Sequence, residues 1–283
     1  MRAGIFLFLL LFGVPTEATI SDSFYSFLVR RHGRQFADDI ARRDFGTIGS
    51  FGGGNHTGHH RTKRTPTVFV TGWSSTATFA WPAVWVWKSK GYTDSELYGT
   101  TYGFPMGWTS FHWGLKCEYI NATRNLIMAV AEFTHRPVNI VAYSQGGPVS
   151  RKAILGGHCV DTGEYLGPPL THLVDVYLGV GGAMSGAMPC SVEFLGVCSK
   201  INGMNCHSKF IQDINSEVRY EGRTIYVLQS STDDMVGYRL CGKHPSEVVG
   251  ANKTVTLFGY THMLLCTITP FHQFNFIHKG DVY

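Results

Sequence analysis

Short apolar runs alternate with stretches of helical spacing along most of the chain. Runs of four to eight apolar residues bounded by polar turns are typical of buried strands. A shorter run of three apolar residues lies at 68–70, and runs of five to eight residues lie at 138–143, 173–180, 224–229 and 254–258. Residues 121–133 and 149–155 lie between them and have the apolar spacing of helices. This alternation predicts an α/β fold, with a mostly parallel sheet covered by helices on both faces.

Before the first run, residues 19–65 begin with the spacing of one amphipathic helix. Its apolar positions are Phe24, Phe27, Leu28, Phe36 and Ile40. A glycine-rich loop follows and contains His56, His59 and His60. No carboxylate lies nearby in the sequence, so we interpret these histidines as solvated and predict no metal site.

The first 18 residues have the pattern of a secretory signal peptide: a basic start, an apolar run over 5–14 and a small residue at Ala18. The run is shorter than the roughly 20 residues that span a bilayer. We therefore expect cleavage near Ala18, no transmembrane anchor, and a single domain over residues 19–283. No internal repeat or low-complexity linker argues for a second domain.

Composition limits the classes of function. Hydrophobic residues make up 44% of the 283 positions and charged residues 16%, which excludes a disordered chain. The formal net charge is +4, and basic residues cluster only at 61–64. Nucleic-acid binding therefore has little support. The basic cluster is interpreted as a solvated loop, with proprotein processing as the alternative; oligomeric state and protein partners are not predicted.

Glycosylation and cysteine usage favour secretion into the extracellular space. Asn-x-Ser/Thr acceptors occur at Asn55, Asn121 and Asn252. All seven cysteines follow residue 18, and in an oxidising compartment they predict disulfides. They contain no Cys-x-x-Cys pair, so a zinc site is not favoured. The chain is expected to be a secreted glycoprotein.

The stretch from Ala142 to Gly147 places a serine between a predicted strand and a predicted helix. Such a reversal is sterically crowded, and glycine relieves the crowding because it has no Cβ. A nucleophile elbow is built in this way and exposes the serine Oγ above the sheet. The usual pattern is Gly-x-Ser-x-Gly; here Ala142 replaces the first glycine. Ser144 is therefore a candidate nucleophile, with a surface turn as the alternative interpretation.

Two later strand ends supply partners in the order that hydrolases of this fold require. Asp233 follows the strand at 224–229, and His262 follows the strand at 254–258. His262 would accept the proton of Ser144, and Asp233 would fix the imidazole tautomer. Backbone N–H groups of Trp73 and Gln145 would form the oxyanion hole. The residues thus predict a serine hydrolase, and no motif in the chain predicts a cofactor.

Four segments resemble the class 2 triacylglycerol lipases of the bacterial lipase A type: 68–73, 142–147, 230–236 and 259–262. The stretches "RKAILGGHCVDTGEYLGPPLTHLVD" and "FIQDINSEVRYEG" look more like the secreted, cysteine-bearing branch found in nematodes. The resemblance implies an α/β-hydrolase domain, extracellular acyl-ester hydrolysis and no required metal. It also places Ser144, Asp233 and His262 on the family's triad positions.

Two details of this resemblance affect the site. The family's Asp-x-x-Val pattern selects Asp233, which stands three residues before Val236, over its neighbour Asp234. Asp234 is then expected to face outward or to cap the start of a following helix. The bacterial members commonly have His-Gly at the start of the first loop, where this chain has Thr71-Gly72. A backbone oxyanion donor can survive that exchange, and the position of the loop is the feature it affects.

The substrate is predicted from the tryptophans. All six fall between residues 73 and 113, beside the expected oxyanion loop. Some are expected in the core, and others in an aromatic wall for an acyl chain or a lipid surface. We therefore predict a triacylglycerol lipase or carboxylesterase acting on a lipid or small ester, with transient contact with lipid surfaces. The alternatives are a small-ester carboxylesterase or acyltransferase, or a catalytically silent lipid-binding protein.

One disulfide is predicted from position. Cys241 follows Asp233 by eight residues and Cys266 follows His262 by four. A Cys241–Cys266 bridge would tie together the two loops that carry acid and base. Cys190, Cys198 and Cys206 are expected to close their own loop, with their partners left open.

Overall fold

The strands of one sheet order the molecule. The computed structural model describes residues 19–104 and 108–283. In these residues the strands are β1 (Ser50–Phe51), β2 (Thr67–Val70), β3 (Leu97–Thr100), β4 (Val138–Tyr143), β5 (Val174–Val180), β6 (Thr224–Ser230) and β7 (Lys253–Leu257). Their spatial order is β1-β3-β2-β4-β5-β6-β7. Strands β2 to β7 are parallel, and β1 pairs antiparallel with β3.

Helices cover both faces of this sheet. They are α1 (Asp22–His32), α2 (Arg34–Ala41), α3 (Trp81–Ser89), α4 (Cys117–Thr134), α5 (Gly146–Leu155), α6 (Lys209–Ile214), α7 (His262–Ile268) and α8 (Pro270–Lys279). Alternate side chains of β2 separate into two apolar clusters, with Val68 and Val70 in one and Phe69 in the other. The first cluster includes residues of α1, α2, α4, α5 and α6, and the second includes residues of α3, α7 and α8. The predicted α/β fold is confirmed.

Two short strands were not predicted from the pattern. Strand β1 has only two residues, and β3 contains Gly99, where a Cβ would lie 2.6 Å from the ring of Phe51. Strand β1 is too short for an apolar run, and β3 has only two large apolar residues, Leu97 and Tyr98, before Gly99 and Thr100. The single helix expected at the start of the described chain is also wrong, because Gly33 has φ 92° and divides it into α1 and α2.

The interpretation of the loop histidines is wrong for His56. Its side chain is buried, its Nε2 lies 2.9 Å from the backbone oxygen of Phe133, and its ring packs against the Phe133 ring. Burial lowers the pKa of His56, with contributions from the nearby His60 and His135, and outweighs the opposing effects of the Phe133 carbonyl and Glu96. His59 and His60 are exposed, as expected.

The residues linked to secretion are only partly described. The predicted signal peptide, residues 1–18, lies outside the described residues. Of the glycosylation acceptors, Asn55 and Asn252 are exposed, whereas Asn121 is half-buried on α4 and donates to Glu164 at 2.9 Å. No described helix combines the length and the apolar character that crossing a membrane requires.

Candidate active site

Ser144 lies in a sharp turn directly after β4. Its φ is 52°, a left-handed conformation that is uncommon for a residue with a side chain. A Cβ on Gly146 would lie 2.3 Å from the carbonyl oxygen of Val70, so only glycine fits where α5 passes the end of β2. Gly72 faces the serine itself, since a Cβ there would lie 3.0 Å from that of Ser144. The two glycines allow the turn to pack tightly below the serine.

The structure brings Asp233 and His262 together. Asp233 follows β6, His262 begins α7, and both side chains are buried. The distance from Asp233 Oδ2 to His262 Nδ1 is 2.8 Å. The other carboxylate oxygen accepts hydrogen bonds from the backbone N–H groups of Met235 at 3.0 Å and Val236 at 2.8 Å. The carboxylate is therefore held from both sides and oriented toward the imidazole.

These contacts determine the charge of Asp233. Burial raises its pKa, but the hydrogen bond and charge of His262 lower it. The backbone N–H groups of Val236 and Met235 lower it further, and the pKa lies below the usual value of 3.8. An ionised carboxylate next to Nδ1 favours a proton on that nitrogen and leaves Nε2 as the basic nitrogen.

Asp234 contacts the same histidine through its backbone. Its Oδ1 accepts a hydrogen bond from the N–H of His262 at 2.9 Å, at the first position of α7. Thr261 caps the same helix by accepting from the N–H of Leu264 at 3.4 Å. Two adjacent carboxylates thus hold one histidine. Asp233 contacts the imidazole of His262, and Asp234 contacts the backbone N–H of the same residue. Of the two roles expected for Asp234, an outward-facing side chain or a cap on a following helix, the structure shows the cap.

Ser144 and His262 line the same cavity, which has a volume of about 400 Å³. Its lining residues are Gly72, Trp73, Ser74, Ser75, Thr76, Thr78, Phe79, Ser144, Met235, His262, Met263 and Cys266. None of them carries a formal charge when His262 is neutral. Phe79, Met235 and Met263 form its apolar part. Their contribution was not predicted, although Met235 and Met263 are sequence neighbours of the aspartate pair and of the histidine.

The predicted oxyanion residues flank the serine. Gly72 and Trp73 follow β2 and line the cavity, and Gln145 directly follows Ser144. The Trp73 indole donates to the backbone oxygen of Ser110 at 3.4 Å and packs against the ring of Phe111. Thr71, which stands where the bacterial members have histidine, is buried, and its hydroxyl has no hydrogen-bond partner within the described chain.

A family model described as lipase (class 2) matches residues 64–275. The chain belongs to the class 2 lipase family. The match covers every strand from β2 to β7 and all three residues of the candidate triad. It confirms the predicted family, and assignment to the carboxylic ester hydrolases follows from it. The resemblance to a nematode branch stays a prediction.

Solved structures share the fold of this class 2 lipase at low identity. Aspergillus fumigatus lipase B is similar with a TM-score of 0.59 at 12% identity, over 82% of this chain and 56% of that chain. The mature Bacillus licheniformis lipase BlEst2 has a TM-score of 0.53 at 13% identity, over 77% of this chain and 92% of that chain. This chain thus spans little more than half of the Aspergillus lipase. No curated protein sequence matches it significantly.

The disulfides of this class 2 lipase correct one prediction. Cys241 pairs with Cys206, and Cys266 is a buried free thiol. The predicted Cys241–Cys266 bridge is wrong because Cys266 lies one turn after His262 on α7 and points into the core and the cavity, whereas Cys241 is exposed. Burial, with the nearby charge of Asp233, raises the pKa of the Cys266 thiol.

The remaining cysteines form two further bridges. Cys190 pairs with Cys198, which closes a short loop as expected. Cys206 was grouped with that loop but pairs outside it. Cys117 on α4 pairs with Cys159, which follows α5.

The tryptophans of this lipase divide between core and surface. Trp87 is fully buried and donates to Thr67 Oγ1 at 3.2 Å, as expected for core packing. Trp73 lines the cavity, and Trp85 and Trp113 are exposed. The side chain of Trp108 lies outside the described part of the chain.

Proposed function

We propose that this class 2 lipase is a secreted serine ester hydrolase that acts through Ser144, His262 and Asp233. The observation that carries the proposal is the 2.8 Å contact between Asp233 and His262 at the cavity that Ser144 also lines. A carboxylate, an imidazole and a strained serine at one cavity are the parts of a nucleophilic acyl-transfer site. The three disulfides of the described chain support an oxidising compartment.

The first half of the reaction forms an acyl-enzyme. Ser144 Oγ attacks the ester carbonyl carbon while its proton passes to His262 Nε2. The carbonyl oxygen becomes negative in the tetrahedral intermediate, and in this proposal the backbone N–H groups of Trp73 and Gln145 stabilise it. The intermediate collapses, the C–O bond to the alcohol breaks, and the imidazolium returns its proton to the leaving alkoxide.

The second half reverses these roles with water. His262 removes a proton from water, the hydroxide attacks the acyl carbon, and collapse releases the carboxylic acid and reprotonates Ser144. Asp233 stays ionised throughout because its pKa lies below the usual range. It therefore stabilises the imidazolium in both halves without accepting its proton.

The lining of the cavity supports an uncharged acyl group as substrate. The cavity combines the apolar side chains of Phe79, Met235 and Met263 with hydroxyl groups of the segment after Trp73. This composition suits an acyl chain next to a polar ester group better than a charged peptide. A lipid or small carboxylic ester is the proposed substrate, and the acyl-chain length is to be measured.

The test uses an active-site fluorophosphonate and peptide mapping. We expect covalent labelling of Ser144 in the folded protein, and loss of both labelling and p-nitrophenyl ester hydrolysis in Ser144→Ala, by several powers of ten. A folded protein that is not labelled would instead be a lipid-binding protein on this fold. Hydrolysis restricted to short soluble esters indicates a carboxylesterase. Faster acyl transfer to an added alcohol than to water indicates an acyltransferase.

A further inference from the structure

The connection between β5 and α6 carries a small loop that Cys190 and Cys198 close. Both cysteines are buried, but the five residues 191–195 are all exposed. Three of these are large and apolar: Val192 is 68% exposed, Phe194 59% and Leu195 41%. We call these three side chains the apolar tip.

The base of the loop is held firmly. Asn205 Nδ2 donates to the backbone oxygen of Cys190 at 2.8 Å, and the N–H of Met204 donates to that of Val197 at 2.7 Å. Leu195 has φ 48°, a conformation that a leucine adopts rarely. The backbone thus keeps apolar side chains in water at a conformational cost.

The loop lies at the edge of the sheet where the candidate active site is. At one end, the N–H of Met188 donates to the backbone oxygen of Val236 at 2.9 Å, beside the Asp233 turn. At the other end, a Cβ on Gly196 would lie 1.9 Å from the backbone oxygen of His112. His112 belongs to the segment that contacts Trp73 through Ser110. The loop therefore lies between the turn that carries Asp233 and the segment that packs beside Trp73.

Other apolar side chains around the candidate site are also exposed. Met188 at the loop base, Met235 and Met263 in the cavity lining, and Trp113 beside the Trp73 wall are each exposed by 41–49%. Several exposed apolar side chains near one cavity are typical of an interaction site.

The size of the tip argues against a second protein as its partner. Its three side chains expose on the order of 300 Å², whereas a stable protein interface buries about 800 Å² on each partner. A protein seated there would also cover the mouth of the cavity. A lipid surface needs no matching shape and contains the substrate itself. Glu193, the one charged residue among 191–195, pairs with Lys200 at 3.7 Å, so the exposed part of the loop favours an uncharged surface.

We propose that the apolar tip inserts into the surface of aggregated neutral ester and holds the cavity mouth against it. This rests on the proposed function, because it takes the ester as substrate of the same site. Apolar side chains at such a boundary gain free energy by leaving water.

The test compares a tip variant with a matched control. Phe194→Ser/Leu195→Ser changes the tip, and Val218→Ser/Val249→Ser changes two equally exposed side chains that precede β6 and β7, at the opposite edge of the sheet. All four residues are exposed, so circular dichroism and thermal unfolding should match the parent protein. Binding is measured in Ser144→Ala by flotation with a triolein emulsion stabilised by phosphatidylcholine, so that hydrolysis plays no part.

We expect the tip variant to lose at least tenfold in emulsion binding and in hydrolysis of emulsified tributyrin. Its hydrolysis of soluble p-nitrophenyl butyrate, and every property of the control, should be unchanged. Equal binding by the tip variant and the control overturns the proposal, as does a concentration-dependent dimer that the tip variant abolishes. Absence of soluble-ester hydrolysis in the parent contradicts the proposed function instead, while flotation still tests the tip.

Discussion

His56 and His262 are buried to almost the same extent, with 5% and 3% of their surfaces exposed, but their neighbours differ in kind. His56 lies near a backbone carbonyl and packs on the ring of Phe133. The ring of His262 contacts the Asp233 carboxylate, and its backbone N–H donates to the Asp234 carboxylate. It also lines a cavity together with Ser144.

The comparison shows that burial alone does not give a histidine a chemical role. Burial without a carboxylate hydrogen-bonded to the ring disfavours the charged form and lowers the pKa of His56. At His262 the ionised Asp233 compensates a positive ring, so a proton can be accepted and returned during a reaction. Changes at the two histidines should therefore affect different properties of the protein.

The largest effect is expected from His262→Gln. Without a base, Ser144 stays protonated, and p-nitrophenyl ester turnover should fall by about 10⁶, as removal of a triad histidine does elsewhere. His56→Gln is the matched control, and its turnover should remain near that of the parent. Comparable losses in both variants, at equal folding by circular dichroism, would contradict the distinction between the two sites.

Asp233→Asn should have the next largest effect. An amide at this position favours the wrong imidazole tautomer and cannot stabilise the charged ring, so turnover should fall by about 10⁴. The variant should remain folded, because the amide oxygen can still accept from the N–H groups of Met235 and Val236. Steady-state kinetics on a soluble ester measures the loss, and retention of more than a tenth of parent turnover would remove Asp233 from the proposed triad.

Asp234→Ala should act mainly on stability. It removes the acceptor for the His262 N–H at the start of α7, a loss worth about 1 kcal/mol in the free energy of unfolding. Asp234→Asn keeps an acceptor oxygen and should stay within a few tenths of the parent value. Denaturant unfolding measures both variants. A turnover loss in Asp234→Asn larger than that in Asp233→Asn would transfer the acid role to Asp234.

The smallest expected effect is a difference in pH dependence. The folded-state pKa of His56 is lowered, so below its usual value of 6.5 the unfolded chain binds a proton that the folded chain does not. Stability should therefore fall as pH drops below about 6.5, and this loss should be absent in His56→Gln.

Asp233 should contribute in a separate and lower window. Its folded-state pKa is also lowered, so its stabilisation is present above the usual 3.8 and is lost as pH falls through the folded pKa. Denaturant unfolding of His56→Gln and Asp233→Asn from pH 7.5 to 3 separates the pH range in which His56 contributes from the lower range in which Asp233 contributes. Identical pH profiles for the parent protein and His56→Gln would mean that the imidazole of His56 is not held neutral.

Much of the central fold could be predicted because local pattern and tertiary environment agree there. Strand β4 is apolar throughout and buried throughout, and the predicted bounds 138–143 match the observed strand. Strand β7 was predicted one residue late. Strand β1 was missed because it has only two residues, and β3 because its two large apolar residues are followed by Gly99 and Thr100, whereas β2 contains three consecutive apolar residues. The Asp233–His262 contact was predictable because parallel strands end at a common edge of the sheet.

The sequence by itself determined the elements whose signal is local: the buried strands, the glycine-relieved turn at Ser144 and the chain order of serine, aspartate and histidine. Only the tertiary structure decided which side chains face one another across long separations. It paired Cys241 with Cys206 and left Cys266 in the core, buried His56, and placed Asp234 on the backbone of His262. Apolar periodicity indicates which residues avoid water. The direction of a loop side chain depends instead on how segments far apart in the sequence pack together, and a local pattern carries no information about that packing.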